Sequence, residues 1–78
     1  MPQVLLNIAL ERKVALDSLP KTSARIKAVE KKLGEEGRVL VRWSGTEPKL
    51  RILVEGPDKR TIKRMAHEIA KVAEHEIG

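Results

Sequence analysis

The feature that most constrains this chain is the stripe Ile62, Met65, Ala66, Ile69, Val72 and Ala73. These residues recur at three- and four-residue spacing, which places them on one continuous face of a helix. The turn residues Gly56 and Pro57 precede it, and Asp58 follows as a natural N-cap. A helix with one long apolar face must bury it against another element. The remainder of the chain therefore has to supply an apolar surface of matching length.

Three segments read as strands of such a surface. Val4 to Leu10 alternates and is apolar enough to be partly covered on both faces. Arg38 to Trp43 places Val39, Val41 and Trp43 on one side, and Leu50 to Glu55 does the same with Leu50, Ile52 and Val54. Pro20, Thr22 and Ser23 open a first helix whose Ile26, Val29 and Leu33 share a face, and Gly34 closes it. Glu11 to Pro20 is a connector, in which Val14-Ala15-Leu16 reads as a short extra strand. The order strand-helix-strand-strand-helix predicts an α+β fold. The sheet should be small and mainly antiparallel, with two helices on one face and the last two strands paired across a long hairpin loop.

The 78 residues allow a single domain, 1–78. A chain this short buries only about 60% of its unfolded surface. Most enzymes that need two lobes and a closing cleft are excluded for this chain alone. No apolar run approaches the roughly 20 residues that span a bilayer, so no membrane partner is expected. There is no cysteine, which excludes disulfides, thiolate metal sites and cysteine nucleophiles and fits a reducing, cytoplasmic location. The net charge of +5 invites an anionic partner. Trp43 is the sole aromatic residue, which argues against readers that stack nucleic-acid bases on aromatic platforms.

The segment Arg42-Trp43-Ser44-Gly45-Thr46-Glu47-Pro48-Lys49-Leu50-Arg51 carries the candidate chemistry. Gly45 can take positive φ and Pro48 interrupts strand pairing. Successive backbone N–H groups in such a turn can cradle an anion. Ser44 and Thr46 add hydroxyls, Lys49 adds positive field, and Arg42 and Arg51 border the loop, where their forks can converge on one phosphate. The plain alternative is a polar hairpin loop with solvated arginines, in which Glu47 pairs with Arg51.

The run Arg42-x-Ser44-Gly45-Thr46-Glu47-Pro48, followed by Arg51 and Glu55, resembles the phosphate-binding loop of the α-D-phosphohexomutases. Pro2-Gln3-Val4-Leu5-Leu6-Asn7, Gly37-Arg38-Val39-Leu40-Val41 and Val54-Glu55-Gly56 agree in kind. The resemblance covers essentially the whole chain, corresponds to the fourth, C-terminal domain of that family, and is greatest for the phosphoglucosamine mutase branch. Trp43 departs from the family pattern beside the contacts rather than among them. The resemblance implies a domain that holds the non-reacting phosphate of a phosphosugar substrate through Arg42, Ser44, Gly45, Thr46 and Arg51, with Glu47 and Lys49 in support. For this branch the reaction interconverts glucosamine-6-phosphate and glucosamine-1-phosphate; a phosphomannomutase or phosphoglucomutase is the neighbouring reading. Other domains of the parent enzyme would supply the phosphoserine and the aspartates that hold magnesium. The family's Ser-His-Asn-Pro and Asp-Gly-Asp runs do not occur in this sequence, whose aspartates are Asp17 and Asp58. This chain is thus expected to bring no catalytic residue, metal ligand or cofactor of its own, and to be inactive alone. Met1 directly before such sequence points to an excised domain.

Other features carry less. Gly34-Glu35-Glu36-Gly37 has the Gly-x-x-Gly spacing of a KH loop, but two carboxylates would repel a nucleotide backbone, so an ordinary helix-to-strand turn is expected. Lys59, Arg60, Lys63 and Arg64 read as a solvated face balanced by Glu55 and Asp58. His67 and His75 lack an i, i+4 partner and read as surface residues. A basic nucleic-acid-binding module and a pure interaction domain remain the readings from other classes.

Overall fold

A computed structural model describes residues 2–77. Three strands, β1 (Gln3–Ala9), β2 (Arg38–Trp43) and β3 (Lys49–Glu55), form one antiparallel sheet in the order β1-β3-β2. Helix α1 (Pro20–Leu33) links β1 to β2 across the central strand, and α2 (Lys59–Ile77) follows β3. The α+β architecture with its β2–β3 hairpin is the one that the apolar patterning predicts.

The register explains where the core lies. Val4, Val54 and Val39 form one cross-strand row, Leu6, Ile52 and Val41 the next, and Ile8, Leu50 and Trp43 the third. All nine side chains belong to the core or pack against it, together with α2 residues Ile62, Ala66, Ile69 and Ala73. Leu50, Ile52 and Val54 are fully buried because β3 is the central strand. The apolar face of α2 also takes in Ala70 and Ile77.

The opposite face has no helix over it. Its rows are Gln3–Glu55–Arg38, Leu5–Leu53–Leu40 and Asn7–Arg51–Arg42. Here the expectation that β1 is partly covered on both faces meets a sheet with helices on one face only: Leu5 of β1 is 53% exposed, and Leu40 of β2, in the same row, is 49% exposed. Both helices pack on the other side, so β1 has only one buried face. The expected extra strand at Val14-Ala15-Leu16 is also absent. Leu16–Ser18 forms a 3₁₀ turn closed by Ser18 N–H to the Ala15 carbonyl at 2.9 Å. Asp17 and Ser18 favour turns, and the Val14 carbonyl accepts the Trp43 indole N–H at 2.7 Å instead of a strand partner.

Gly34 ends α1 with φ +56°, a conformation that side chains rarely adopt. Gly34–Glu36 then makes a 3₁₀ turn into β2, the ordinary connection expected for the Gly-x-x-Gly run. The start of α1 has Pro20 at its first position and Leu19 at its N-cap, which offers no side-chain acceptor. The acceptor comes from α2. The Glu76 carboxylate receives Lys21 N–H at 2.8 Å and Thr22 N–H at 2.7 Å. Partial burial opposes the Glu76 charge, but those N–H donors and Lys21 outweigh it and hold its pKa below the usual glutamate value. The buried Thr22 hydroxyl lies near the same carboxylate without meeting hydrogen-bond geometry.

Asp58 caps α2 as its position predicts. The Thr61 hydroxyl bonds to its carboxylate. That contact, opposed by partial burial and reinforced by the N–H groups of Thr61 and Arg60, lowers the Asp58 pKa. Glu55 does not balance the α2 cations as expected; it is the cross-strand partner of Arg38, with Arg38 Nε donating to Glu55 Oε1 at 2.8 Å.

Candidate functional site

The β2–β3 loop, residues 44–48, leaves the sheet at the Trp43–Leu50 end of the hairpin. Its own backbone gives it shape. Ser44 N–H donates to the Lys49 carbonyl at 2.9 Å, and Lys49 N–H donates to the Glu47 carbonyl at 2.8 Å. The Ser44 hydroxyl donates to the Glu47 carbonyl at 2.6 Å. Its single proton is therefore already committed, and an anion would have to displace that bond to receive it. Among the described residues, the N–H groups of Gly45, Thr46 and Glu47 have no protein acceptor. Three consecutive unclaimed donors on an exposed loop are the elements of an anion cradle.

The connector before α1 braces this loop. Lys13 Nζ donates to the Gly45 carbonyl at 2.9 Å, Leu10 N–H donates to the Pro48 carbonyl at 2.8 Å, and Trp43 reaches Val14. Trp43 thus anchors the connector rather than offering a binding surface. Gly45 does not use positive φ, contrary to expectation; Gly34 alone does so among the described glycines. The loop closes through the hydrogen bonds just described, with no left-handed residue.

Ser44, Thr46, Glu47, Lys49 and Arg51 line an open depression of about 280 Å³, and Asn7 of β1 completes it. Arg42 and Gly45 lie outside that lining. Arg42 stands directly opposite Arg51 in the register, so both belong to the helix-free face. Glu47 pairs with Lys49 at 3.0 Å, not with Arg51 as the plain loop reading anticipated. That exposed pair offsets the charge of Lys49 and leaves both guanidinium groups without an acidic partner among the described residues.

Asn7 and Lys13 were not recognisable as site residues from loop spacing. Asn7 pairs with Arg51 in the β1–β3 register, 44 positions away. The available signal is its place as the one polar residue in the apolar run Val4 to Leu10. His67 and His75 are exposed on α2, as expected. Among the described residues no helix is long and apolar enough to cross a membrane.

Comparison with known proteins gives this geometry a family context. The family described as phosphoglucomutase/phosphomannomutase, C-terminal domain, matches residues 5–72. The chain is 48% identical over all 78 residues to a phosphoglucosamine mutase of Sorangium cellulosum, and 49% identical to one of Geobacter metallireducens. It spans 16% and 17% of those proteins. The fold is shared with an Aspergillus fumigatus N-acetylphosphoglucosamine mutase crystallised with GlcNAc-6P and magnesium. The TM-score is 0.78 at 21% identity, covering 99% of this chain and 16% of that one.

Proposed function

The chain belongs to the phosphoglucomutase/phosphomannomutase C-terminal domain family, and on that premise we propose that it is the phosphosugar-binding domain of a phosphoglucosamine mutase-like enzyme. Its β2–β3 loop clamps the substrate phosphate that is not reacting. The observation that carries this reading is that Arg51 lines one depression with Thr46 and Glu47, whose N–H groups are unclaimed, while Arg42 stands opposite Arg51 on the same helix-free face. A phosphate dianion would gain paired guanidinium donors and backbone donors from one direction.

In this proposal the chain binds and orients. Its hold on one end of a hexose phosphate keeps the other end in place for phosphoryl transfer between the 6- and 1-positions, with remote binding energy used for positioning. The proposed substrate pair is glucosamine-6-phosphate and glucosamine-1-phosphate, after the names of the relatives. The donor phosphoserine and the magnesium site are assigned to other domains of the parent enzyme. Among the described residues no group of three or more His, Cys, Asp or Glu side chains could hold a metal ion. A charged phosphate ester does not cross a bilayer unaided, so the reading places the enzyme with its substrate pool in the cytoplasm.

The test is an NMR titration of the isotopically labelled chain, first with glucosamine-6-phosphate and then with a short RNA. The expected result is saturable shifts confined to the amides of Ser44, Gly45, Thr46 and Glu47, with an affinity of about 1 mM in the absence of partner domains. No loop response to the sugar phosphate, or stronger shifts with RNA spread over both helices, would overturn the proposal.

A further inference from the structure

We infer that Asn7 is a positioning residue of this clamp: its side-chain carbonyl holds Arg51 through Nε, which keeps the terminal nitrogens of the guanidinium available to an anion. The inference rests on the phosphate-clamp reading above and extends it to a strand outside the loop.

Three observations carry it. Asn7, Arg51 and Arg42 occupy one cross-strand row on the helix-free face. Asn7 and Arg51 line the same depression as Ser44 and Thr46. Arg51 Nε donates to Asn7 Oδ1 at 3.5 Å. Arginine has only donors, so the group facing it must be the amide oxygen.

The chemistry explains why this acceptor is neutral. Arg42 directly opposite repels Arg51, and a long exposed side chain gains entropy by swinging into solvent. An acceptor on Nε opposes both tendencies. A carboxylate there would hold Arg51 more strongly but would cancel the field that attracts a phosphate. Asparagine holds without neutralising. It is also disfavoured within strands, so its place among Val4, Leu5, Leu6 and Ile8 runs against local preference. At 3.5 Å the bond is long, as contacts of ligand-free sites often are. An anion on the terminal nitrogens would restrain the guanidinium from its other end and allow the Nε contact to tighten.

The experiment is a double-mutant cycle on the labelled chain, titrated with glucosamine-6-phosphate and with inorganic phosphate. Asn7→Thr suits a strand, and Asn7→Ala is the control for folding. Both should retain the parent spectrum's dispersion and weaken binding about threefold to tenfold. The Arg51 Nε–H resonance, which should shift and become protected with ligand in the parent, should lose that response. In an Arg51→Ala background the Asn7 substitutions should have no further effect. Unchanged affinity in the Asn7 variants while Arg51→Ala weakens binding would overturn this inference alone. An equal Asn7 effect with and without Arg51 would do the same. If Arg42→Ala and Arg51→Ala both leave affinity intact, the clamp itself is wrong and the inference falls with it.

Discussion

Arg42 and Arg51 face each other directly across the β2–β3 pair, on the side of the sheet that neither helix covers. Like charges in that relationship are destabilising. Neither forms an ion pair among the described residues, where the observed pairs are Arg38 with Glu55 and Lys49 with Glu47. The arrangement costs stability in the ligand-free domain and would be relieved by an anion between the two. Arg42→Ala should therefore raise stability slightly, by about 0.2–1 kcal/mol in chemical denaturation. The same variant should weaken glucosamine-6-phosphate binding about tenfold or more, because hydrogen bonds to charged groups are the strong ones. A variant that loses both stability and affinity would mean that Arg42 is structural.

The Glu76 cap predicts a specific pH dependence. Its folded pKa is lowered, so its contribution to stability is present above the unfolded value near 4.5 and is lost as pH falls through the lower folded value. Asp58 behaves likewise relative to its ordinary value of 3.8. Glu76→Gln should lower the Tm at pH 7 by a few degrees by weakening the acceptor for Lys21 and Thr22 N–H. Thermal melts of parent and variant should converge as the pH is taken below 4.5 through the folded pKa. A constant Tm gap across that range would show that the carboxylate charge is not what caps α1.

Much of this fold is legible in local pattern, for a physical reason. A stripe such as Ile62, Met65, Ala66 and Ile69 encodes which side of a helix is buried, and alternation in Val39-Leu40-Val41 does the same for a strand. What such patterns do not encode is the partner. β1 looked apolar on both sides because Leu5 and Leu6 are chemically alike, yet only Leu6 lies under a helix. Glu76 gave no sign of reaching Lys21 and Thr22, over fifty positions away. The loop residues of the candidate site were legible because they are consecutive. Asn7 and Lys13 enter it only through sheet register and a folded-back connector.

Burial separates the two sheet faces energetically. Ile52 is fully buried at the centre of the middle strand. Ile52→Ala should cost about 2–5 kcal/mol. Against a total of about 5–15 kcal/mol, at the low end for so short a chain, much of the population would unfold. Leu40→Ala, on the open face, should change stability by only about 0.5 kcal/mol. Urea unfolding followed by Trp43 fluorescence would compare them. Equal losses would show that the leucine row on the open face is packed in solution.

Two glycines offer the sharpest separation of folding from binding. A Cβ at Gly37 would run into the Glu55 carbonyl, a backbone atom that cannot swing aside. Gly37→Ala should be strongly destabilising because the β2–β3 pair must shift to admit it. A Cβ at Gly45 meets nothing within 4 Å, and its φ is not in the left-handed region. Neither packing nor backbone conformation calls for glycine there. In the proposed clamp, close approach of a phosphate to the backbone would call for it, because a methyl group beside an N–H donor would obstruct a phosphate oxygen. Gly45→Ala should leave the Tm within about 2 °C of the parent, as a surface change does. Its affinity for glucosamine-6-phosphate should still fall severalfold. Unchanged affinity would place the bound phosphate away from Gly45 and confine the clamp to the arginine row.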